Sequence, residues 1–400
     1  MSDLLVFGLL FAAVAIGWLL GRRSATSPPP VSTYFSGQFS GQPRADDPPA
    51  DGVIDHLADG LAVDGGSART HIAMGVQLRR RGEVDGAVRI HEDLLARPAL
   101  PVEEQTRARL ELARDYISAG LLDRAEEILL ELVREFPGQC QAARGHLLEI
   151  YEAERDWRRA IEVAKALLPR KLQWEKREQP PLSRSQGAAL RLAHYCCELA
   201  EAARLSGDLA GARKLLAEAL ERDSKCVRAS LLLGQVEYDC GHFRQAVQAL
   251  RRVRQQDPDY LPDTFELLRL CYQALGDQRS MREYLVDSLA LRPTPALVAA
   301  VAADMVEAEG SAAAGDFLAE QLLQYPSLAG LSQLIGLQLG TSEGKPRQDF
   351  ELLQTLSRRL LASRPAYRCG HCGFAGKNLH WNCPGCKHWG SIKAIGGPGS

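Results

Sequence analysis

Neither sign of charge dominates this sequence: 48 lysines and arginines face 50 aspartates and glutamates. Bulk electrostatics therefore single out neither a nucleic acid nor an acidic substrate. Aromatic residues are scarce, at 6%. With alanine, leucine, arginine and glutamate plentiful, helices are favoured over strands. No phosphate-binding loop and no nucleophile elbow occurs, and no catalytic constellation is visible. A disulfide framework is missing too. Of ten cysteines, Cys140, Cys196, Cys197, Cys226, Cys240 and Cys271 are scattered through helical-looking sequence, while four are packed into the last 32 residues. That distribution suits a reducing compartment. At 400 residues the chain exceeds one compact core, so several structural units are expected.

What is present begins with an unbroken apolar run, Leu4 to Leu20. As a helix it rises about 26 Å, close to the roughly 30 Å of a hydrocarbon core. Trp18 suits the interface, and Arg22 and Arg23 can reach the headgroups. A cleaved signal peptide would carry its positive charge before the run, but Asp3 precedes it and the arginines follow it. Residues 1–21 are therefore predicted to be a transmembrane anchor, with everything after residue 23 in the cytoplasm. Residues 22–52 hold Pro28, Pro29, Pro30, Pro43, Pro48 and Pro49 among serine, glycine and aspartate, and read as a linker that cannot fold alone.

The next stretch repeats. Counted from Thr106, positions 8, 11, 15, 20, 24 and 32 are Ala113, Tyr116, Gly120, Ala125, Leu129 and Pro137. Counted from Val227 they are Gly234, Glu237, Gly241, Ala246, Leu250 and Pro258, and from Pro262 the matching residues are Tyr272, Gly276, Leu285 and Pro293. Weaker units start near Ala68 (Gly75, Gly82, Ala87), Gln141 (Tyr151, Ala160), Ala193 (Ala200, Gly207, Ala212) and Ala296 (Ala303, Gly310, Leu322). The starts 193, 227, 262 and 296 are 34, 35 and 34 residues apart. A period of about 34 with this pattern is that of tetratricopeptide helical hairpins. Small residues at positions 8 and 20 let the two helices approach closely. Glycine at 15 accepts the backbone angles of a helix end, and proline near 32 stops the second helix. The array is predicted over 53–364 as an all-α solenoid whose concave face binds proteins. A Pro/Lys-rich insert at 168–185 breaks its register and reads as a hinge or partner-binding loop. His71, His91, His146, His194 and His242 fall in the hairpins and read as packed or surface residues, and Cys196–Cys197 as small buried ones.

Residues 365–400 carry the most specific motif, Cys369-Gly-His-Cys372 and Cys383-Pro-Gly-Cys386, separated by ten residues. Two such turns supply four thiolates, a tetrahedral shell for one zinc or iron ion. So short a segment needs the metal for much of its folding free energy, and Phe374, Leu379, Trp381 and Trp389 are expected to pack around it. His371, His380 and His388 lie near enough in sequence to replace a cysteine, but the four-cysteine spacing argues against it. A closed shell leaves no open position for substrate, so the site is structural or electron-transferring. Lys377, Lys387 and Lys393 leave a nucleic-acid-binding zinc ribbon as another reading.

These residues together resemble the lipopolysaccharide assembly protein B family of Gram-negative bacteria. The similarity lies in Arg81 to His91, in Ala113 to Glu127, and in Tyr367 to Phe374 with Leu379 to Trp389 and Ile392-Lys393. It spans nearly the whole chain, departing at the Pro/Gly/Asp-rich residues 38–60. The resemblance implies a non-enzymatic regulator in the inner membrane, its soluble body on the cytoplasmic side. It would restrain lipopolysaccharide synthesis by promoting degradation of the lipid A pathway deacetylase (LpxC) by the membrane protease FtsH, alongside other lipopolysaccharide assembly proteins. It also implies that Cys369, Cys372, Cys383 and Cys386 ligate one iron or zinc ion in a rubredoxin-type domain, and that this domain docks on the repeats and is needed for activity. No nucleic-acid partner is expected. A rubredoxin-like electron carrier is the alternative.

Overall fold

The computed structural model describes residues 65–98, 100–137, 140–168 and 182–395. The anchor at 1–21, the linker at 22–52 and most of the insert at 168–185 lie outside them. Among the described residues, no helix is long and apolar enough to cross a membrane.

The repeat positions become helical hairpins. The first four are α1 (Gly65–Arg81) with α2 (Val84–Leu95), α3 (Val102–Ser118) with α4 (Leu122–Glu135), α5 (Gln141–Glu154) with α6 (Trp157–Leu167), and α7 (Leu182–Leu205) with α8 (Leu209–Arg222). Then follow α9 (Val227–Asp239) with α10 (Phe243–Gln256), α11 (Phe265–Leu275) with α12 (Gln278–Leu291), α13 (Pro295–Ala308) with α14 (Ser311–Gln324), and α15 (Leu328–Thr341) with α16 (Gly344–Ser363). A 3₁₀ segment, Pro258–Thr264, precedes α11. Each helix packs mainly on its neighbours in sequence, as a solenoid requires.

The small residues sit where the pattern placed them. Ala113, Ala125, Ala212 and Ala246 are fully buried, and a Cβ built on Gly234 would stand 2.6 Å from the Leu250 side chain. The hairpin turns share one device. Seven of the hairpins turn through a left-handed glycine (Gly82, Gly120, Gly207, Gly241, Gly276, Gly310 and Gly344), and the third uses Arg155 at φ 57°. In the first six hairpins the next residue's amide then bonds back to the carbonyl five residues earlier, as in His242 N to Glu237 O at 2.8 Å. Asp156, Asp208 and Asp277 follow directly and cap the second helix through the amides of Arg159, Gly211 and Ser280.

The unit expected to start at Ala296 starts one residue earlier. Ala302, Ala314 and Leu318 are the buried residues, while Ala303 is exposed. The cause is the turn: Glu309 and Gly310 alone join α13 to α14, whereas three residues, Cys240 to His242, join α9 to α10. A further hairpin, α15 with α16, follows where no unit was placed.

After α16 the chain forms three short antiparallel strands, β1 (Tyr367–Cys369), β2 (Ala375–Gly376) and β3 (Ile392–Ala394), in the order β2-β1-β3. They support the two cysteine turns.

Candidate metal centre

Cys369 ends β1 and Cys372 follows on its turn; Cys383 and Cys386 stand on the second turn. The two turns repeat one geometry. The residue after each CxxC is left-handed, Gly373 at φ 78° and Lys387 at φ 57°. Gly373 N donates to Cys369 O at 3.1 Å, and Lys387 N to Cys383 O at 2.9 Å. The His371 amide also points at Cys369 Sγ, 3.4 Å away. Gly385 must be small, because a Cβ there would lie 3.3 Å from Cys372 Sγ.

The four sulfurs all lie within 4.8 Å of one another, with Cys369···Cys386 and Cys372···Cys383 each at 3.7 Å. A tetrahedral ion with metal–sulfur bonds of about 2.3 Å needs sulfur–sulfur edges of roughly 3.8 Å, so the cage fits one such ion. Protonation argues the same way. The Ser391 hydroxyl and nearby amides hold the Cys369 thiol down to about 5. Desolvation and hydrogen bonding to neighbouring sulfurs push Cys386 up to about 12. Cys369 and Cys386 are thus driven in opposite directions, and a cation between them would let both ionise. The cluster is a site for one metal ion, buried at Cys369 and Cys383 and open to solvent at Cys372. His371 and His388 are exposed and stacked, ring centroids 3.8 Å apart. Near-parallel rings cannot both aim an in-plane lone pair at one ion, so the pair does not displace a sulfur.

Two residues expected around the metal turn away from it. Phe374 and Leu379 pack beside the cysteines, but Trp389 joins the main core of the hairpins and Trp381 packs on Tyr260. Trp389 donates its Nε1–H to Glu152 at 2.9 Å, stacks on His194 at 4.9 Å, and meets Trp157 and Tyr195 edge-on at 6.0 Å. Glu152 is fixed in turn by Arg191 and the Tyr195 hydroxyl. On the other flank Tyr260 donates to Ile392 O at 2.7 Å and its ring stacks on Trp381 at 5.3 Å. Lys393 bridges Asp257 and Asp259 at 2.7 and 2.9 Å, and Tyr367 donates to Asp263 at 3.2 Å. Lys393, one source of the tail's basic tint, is thereby neutralised. Burial drives the His194 imidazole down to about 3, with Arg228 adding to the effect, so it packs as a neutral ring.

Glu152, His194 and Tyr260 were not foreseen as contact residues. Their partners are far along the chain, 237 residues away for Glu152, and repeat spacing carries no signal for them.

Residues 367–394 match the family described as rubredoxin metal binding domain, and residues 110–173 and 203–271 match tetratricopeptide repeat families. Lipopolysaccharide assembly protein B of Escherichia coli (strain K12) is 34% identical over 397 residues, 98% of each chain. The protein of that name from Haemophilus influenzae is 31% identical over 402 residues, again 98% of each. Among solved structures, a tetratricopeptide repeat protein from Parabacteroides merdae is 13% identical, with a TM-score of 0.34, over 73% of this chain and 99% of its own.

Proposed function

The chain belongs to the lipopolysaccharide assembly protein B family, and on that premise we propose that it is an inner-membrane adaptor restraining lipopolysaccharide synthesis. As a family member built on tetratricopeptide repeats, it is a non-enzymatic scaffold. Residues 1–21 anchor it, 22–52 tether it, 53–364 form the partner-binding array on the cytoplasmic side, and 365–400 form the metal domain. The array brings the membrane protease FtsH together with the lipid A pathway deacetylase, promoting the deacetylase's proteolysis. Cys369, Cys372, Cys383 and Cys386 hold one iron or zinc ion. When bound, the ion supplies cross-links among four thiolates. The chain's own residues do the rest: the cysteine turns set the cage, and Trp389 and Tyr260 press the domain onto the hairpins.

The observation that carries this reading is similarity to lipopolysaccharide assembly protein B over 98% of the chain, with the repeats and the metal binding domain matched within it. A tether fits the role, because holding the array at the membrane raises its effective concentration near a membrane protease.

The test is a pull-down of the full-length protein from membranes, with metal analysis of the same sample. FtsH and the deacetylase should both co-purify with protein carrying close to one metal ion per chain. Deleting residues 1–21 should slow deacetylase turnover without unfolding the hairpins. Normal turnover with the anchorless form would remove the tethering role, and absence of both partners would remove the adaptor role.

A further inference from the structure

The solvent face of α10 carries arginine and glutamine alone. Its exposed residues are Arg244, Gln245, Gln248, Arg251, Arg252 and Gln255, and the helix holds no acidic residue. Arg251 and Arg252 follow Arg244 by two helical turns, so the three share that face. None of them forms an ion pair among the described residues. Other arginines of the second helices are engaged: Arg213 by Glu237, Arg279 by Glu283 and Arg282 by Asp304. Arg251 and Arg254 lie over the Tyr284 ring at 5.1 and 5.8 Å, which holds the guanidinium groups without neutralising them. The flanks of α10 are α8 and α12. Gln256 donates to Ser224 O just after α8 at 2.7 Å, and Arg254 to Ser288 on α12 at 3.5 Å. On those flanks the remaining charges balance, Lys214, Arg222 and Lys225 against Glu221, Asp223 and Asp287. The positive excess therefore belongs to α10 itself.

Such a face suits a broad anionic surface. A single-stranded nucleic acid would call for exposed rings on which bases stack, but Phe243 is half-buried and Tyr284 is 2% exposed. A polypeptide partner would call for an apolar anchor, and the six exposed residues of α10 include none. Lipid headgroups need neither. An anionic leaflet favours each nearby lysine or arginine by about fivefold in binding constant, and the planar guanidinium matches a phosphate with two hydrogen bonds. A bilayer is also within reach on the anchored reading, because the chain between residue 22 and α1 can extend at most roughly 140–155 Å. We infer that the arginine–glutamine face of α10 rests on the anionic headgroups of the bilayer that holds the anchor. Arg244, Arg251 and Arg252 meet the phosphates, and the first helices of the hairpins are left free for protein partners. The inference rests on the anchored-adaptor reading and adds a lipid surface to what the array binds.

Photocrosslinking of the full-length, metal-loaded protein in nanodiscs tests this. p-Benzoylphenylalanine replaces Gln248, amid the three arginines, and, as a control, the 62% exposed Val102 on α3. In discs of phosphatidylglycerol and phosphatidylethanolamine, position 248 should give about tenfold more lipid adduct than position 102. The adduct should fall about tenfold in discs of phosphatidylcholine alone. It should fall as far in about 1 M salt, where the screening length shrinks to about 3 Å. Changing Arg244, Arg251 and Arg252 together to glutamine should remove it with helical circular dichroism unchanged, whereas changing all three to lysine should keep most of it. Equal adducts at 248 and 102, or adducts indifferent to salt and lipid charge, overturn the inference. So does an acidic polypeptide, or a second copy of this chain, captured at 248 in place of lipid in the protein's own membranes. Carbonate extraction reads the anchor separately. Should the full-length protein wash off, the anchored reading fails, and flotation of that protein with phosphatidylglycerol vesicles decides the face. Salt-sensitive flotation lost in the glutamine variant supports it, and no flotation overturns it.

Discussion

At the scale of single residues, one chemical change has opposite outcomes according to what faces it. Gly234 lies in α9 with the fully buried Leu250 in the space a Cβ would fill, whereas a Cβ on Gly145 in α5 meets nothing within 4 Å. Alanine is the better helix former at both sites by up to about 1 kcal/mol. Gly145→Ala should therefore stabilise the array by up to that amount. Gly234→Ala should destabilise it, because overpacking costs about 1–3 kcal/mol and exceeds the propensity gain. Urea midpoints of the two variants, shifted in opposite directions, check the pair; equal shifts would refute the close-packing account. Arg155 gives the converse case. It holds φ 57° at a turn where the other hairpins have glycine. A side chain in that region costs roughly 1–2 kcal/mol, and glycine's larger unfolded-state entropy takes back roughly 0.5–1 kcal/mol. Arg155→Gly should raise the midpoint modestly, and a lowered midpoint would show that the arginine makes a compensating contact.

At the scale of elements, legibility followed the range of the interaction. Ala125, Ala246 and Gly241 could be placed from sequence because each serves a contact within its own hairpin. The α13–α14 hairpin was misplaced by one residue because a shortened turn leaves glycine in place but shifts the buried face from Ala303 to Ala302. The α15–α16 hairpin was not picked out. It buries Gly330, Ile335 and Ser357 while leaving Leu352, Leu353, Leu356 and Leu360 exposed. Counted from residue 329, Gly336 stands at position 8 but Gln348 at position 20, so only half of the small-residue pattern marks it. The cysteine cage was legible because its spacing is local, but the outward turn of Trp389 was not, since its partner Glu152 is on α5. That docking is testable. Trp389→Ala should weaken it by about 3–5 kcal/mol, the usual cost of emptying a large aromatic site. The metal should stay bound, and protease should cut between α16 and β1. A full metal loss would mean Trp389 supports the cage instead. The Lys393 bridge should contribute less, being half-exposed. Its hydrogen bond from Lys393 lowers Asp259, so its contribution is present above the ordinary carboxylate range and is lost as acid protonates the carboxylate. Partial burial opposes the charge on Lys393, but Asp257 and Asp259 prevail and raise it, so the lysine side of the bridge fails only in strong base. The docking difference between wild type and Lys393→Ala should therefore be flat from roughly pH 5 to 10 and close outside that window.

At the scale of the whole chain, the metal couples a short domain to a long one. Among its described residues, the metal domain owns a core of little more than Cys369, Cys383 and Ile392, with Tyr367, Phe374, Leu379 and Cys386 against it. Comparable zinc peptides draw about 10–16 kcal/mol of folding free energy from their ion. Removing the ion should therefore unfold this domain outright. The hairpins do not depend on it in the same way, because their stability is a sum of hairpin and nearest-neighbour terms. What they lose is the cover on Trp157, Tyr195 and His194, and the Tyr260 contact to the Ile392 carbonyl. Chelation should thus shift tryptophan emission to the red and expose the tail to protease, while helical circular dichroism falls little. Adding back zinc or iron should reverse all three signals. The expected spread of damage is graded, greatest in α5, α6, α7 and the 3₁₀ segment, which touch the domain, and least in α1 and α2. Hydrogen exchange resolved along the chain measures that gradient. Uniform loss of protection through every hairpin would mean that the metal domain is a keystone of the array and not a body docked upon it.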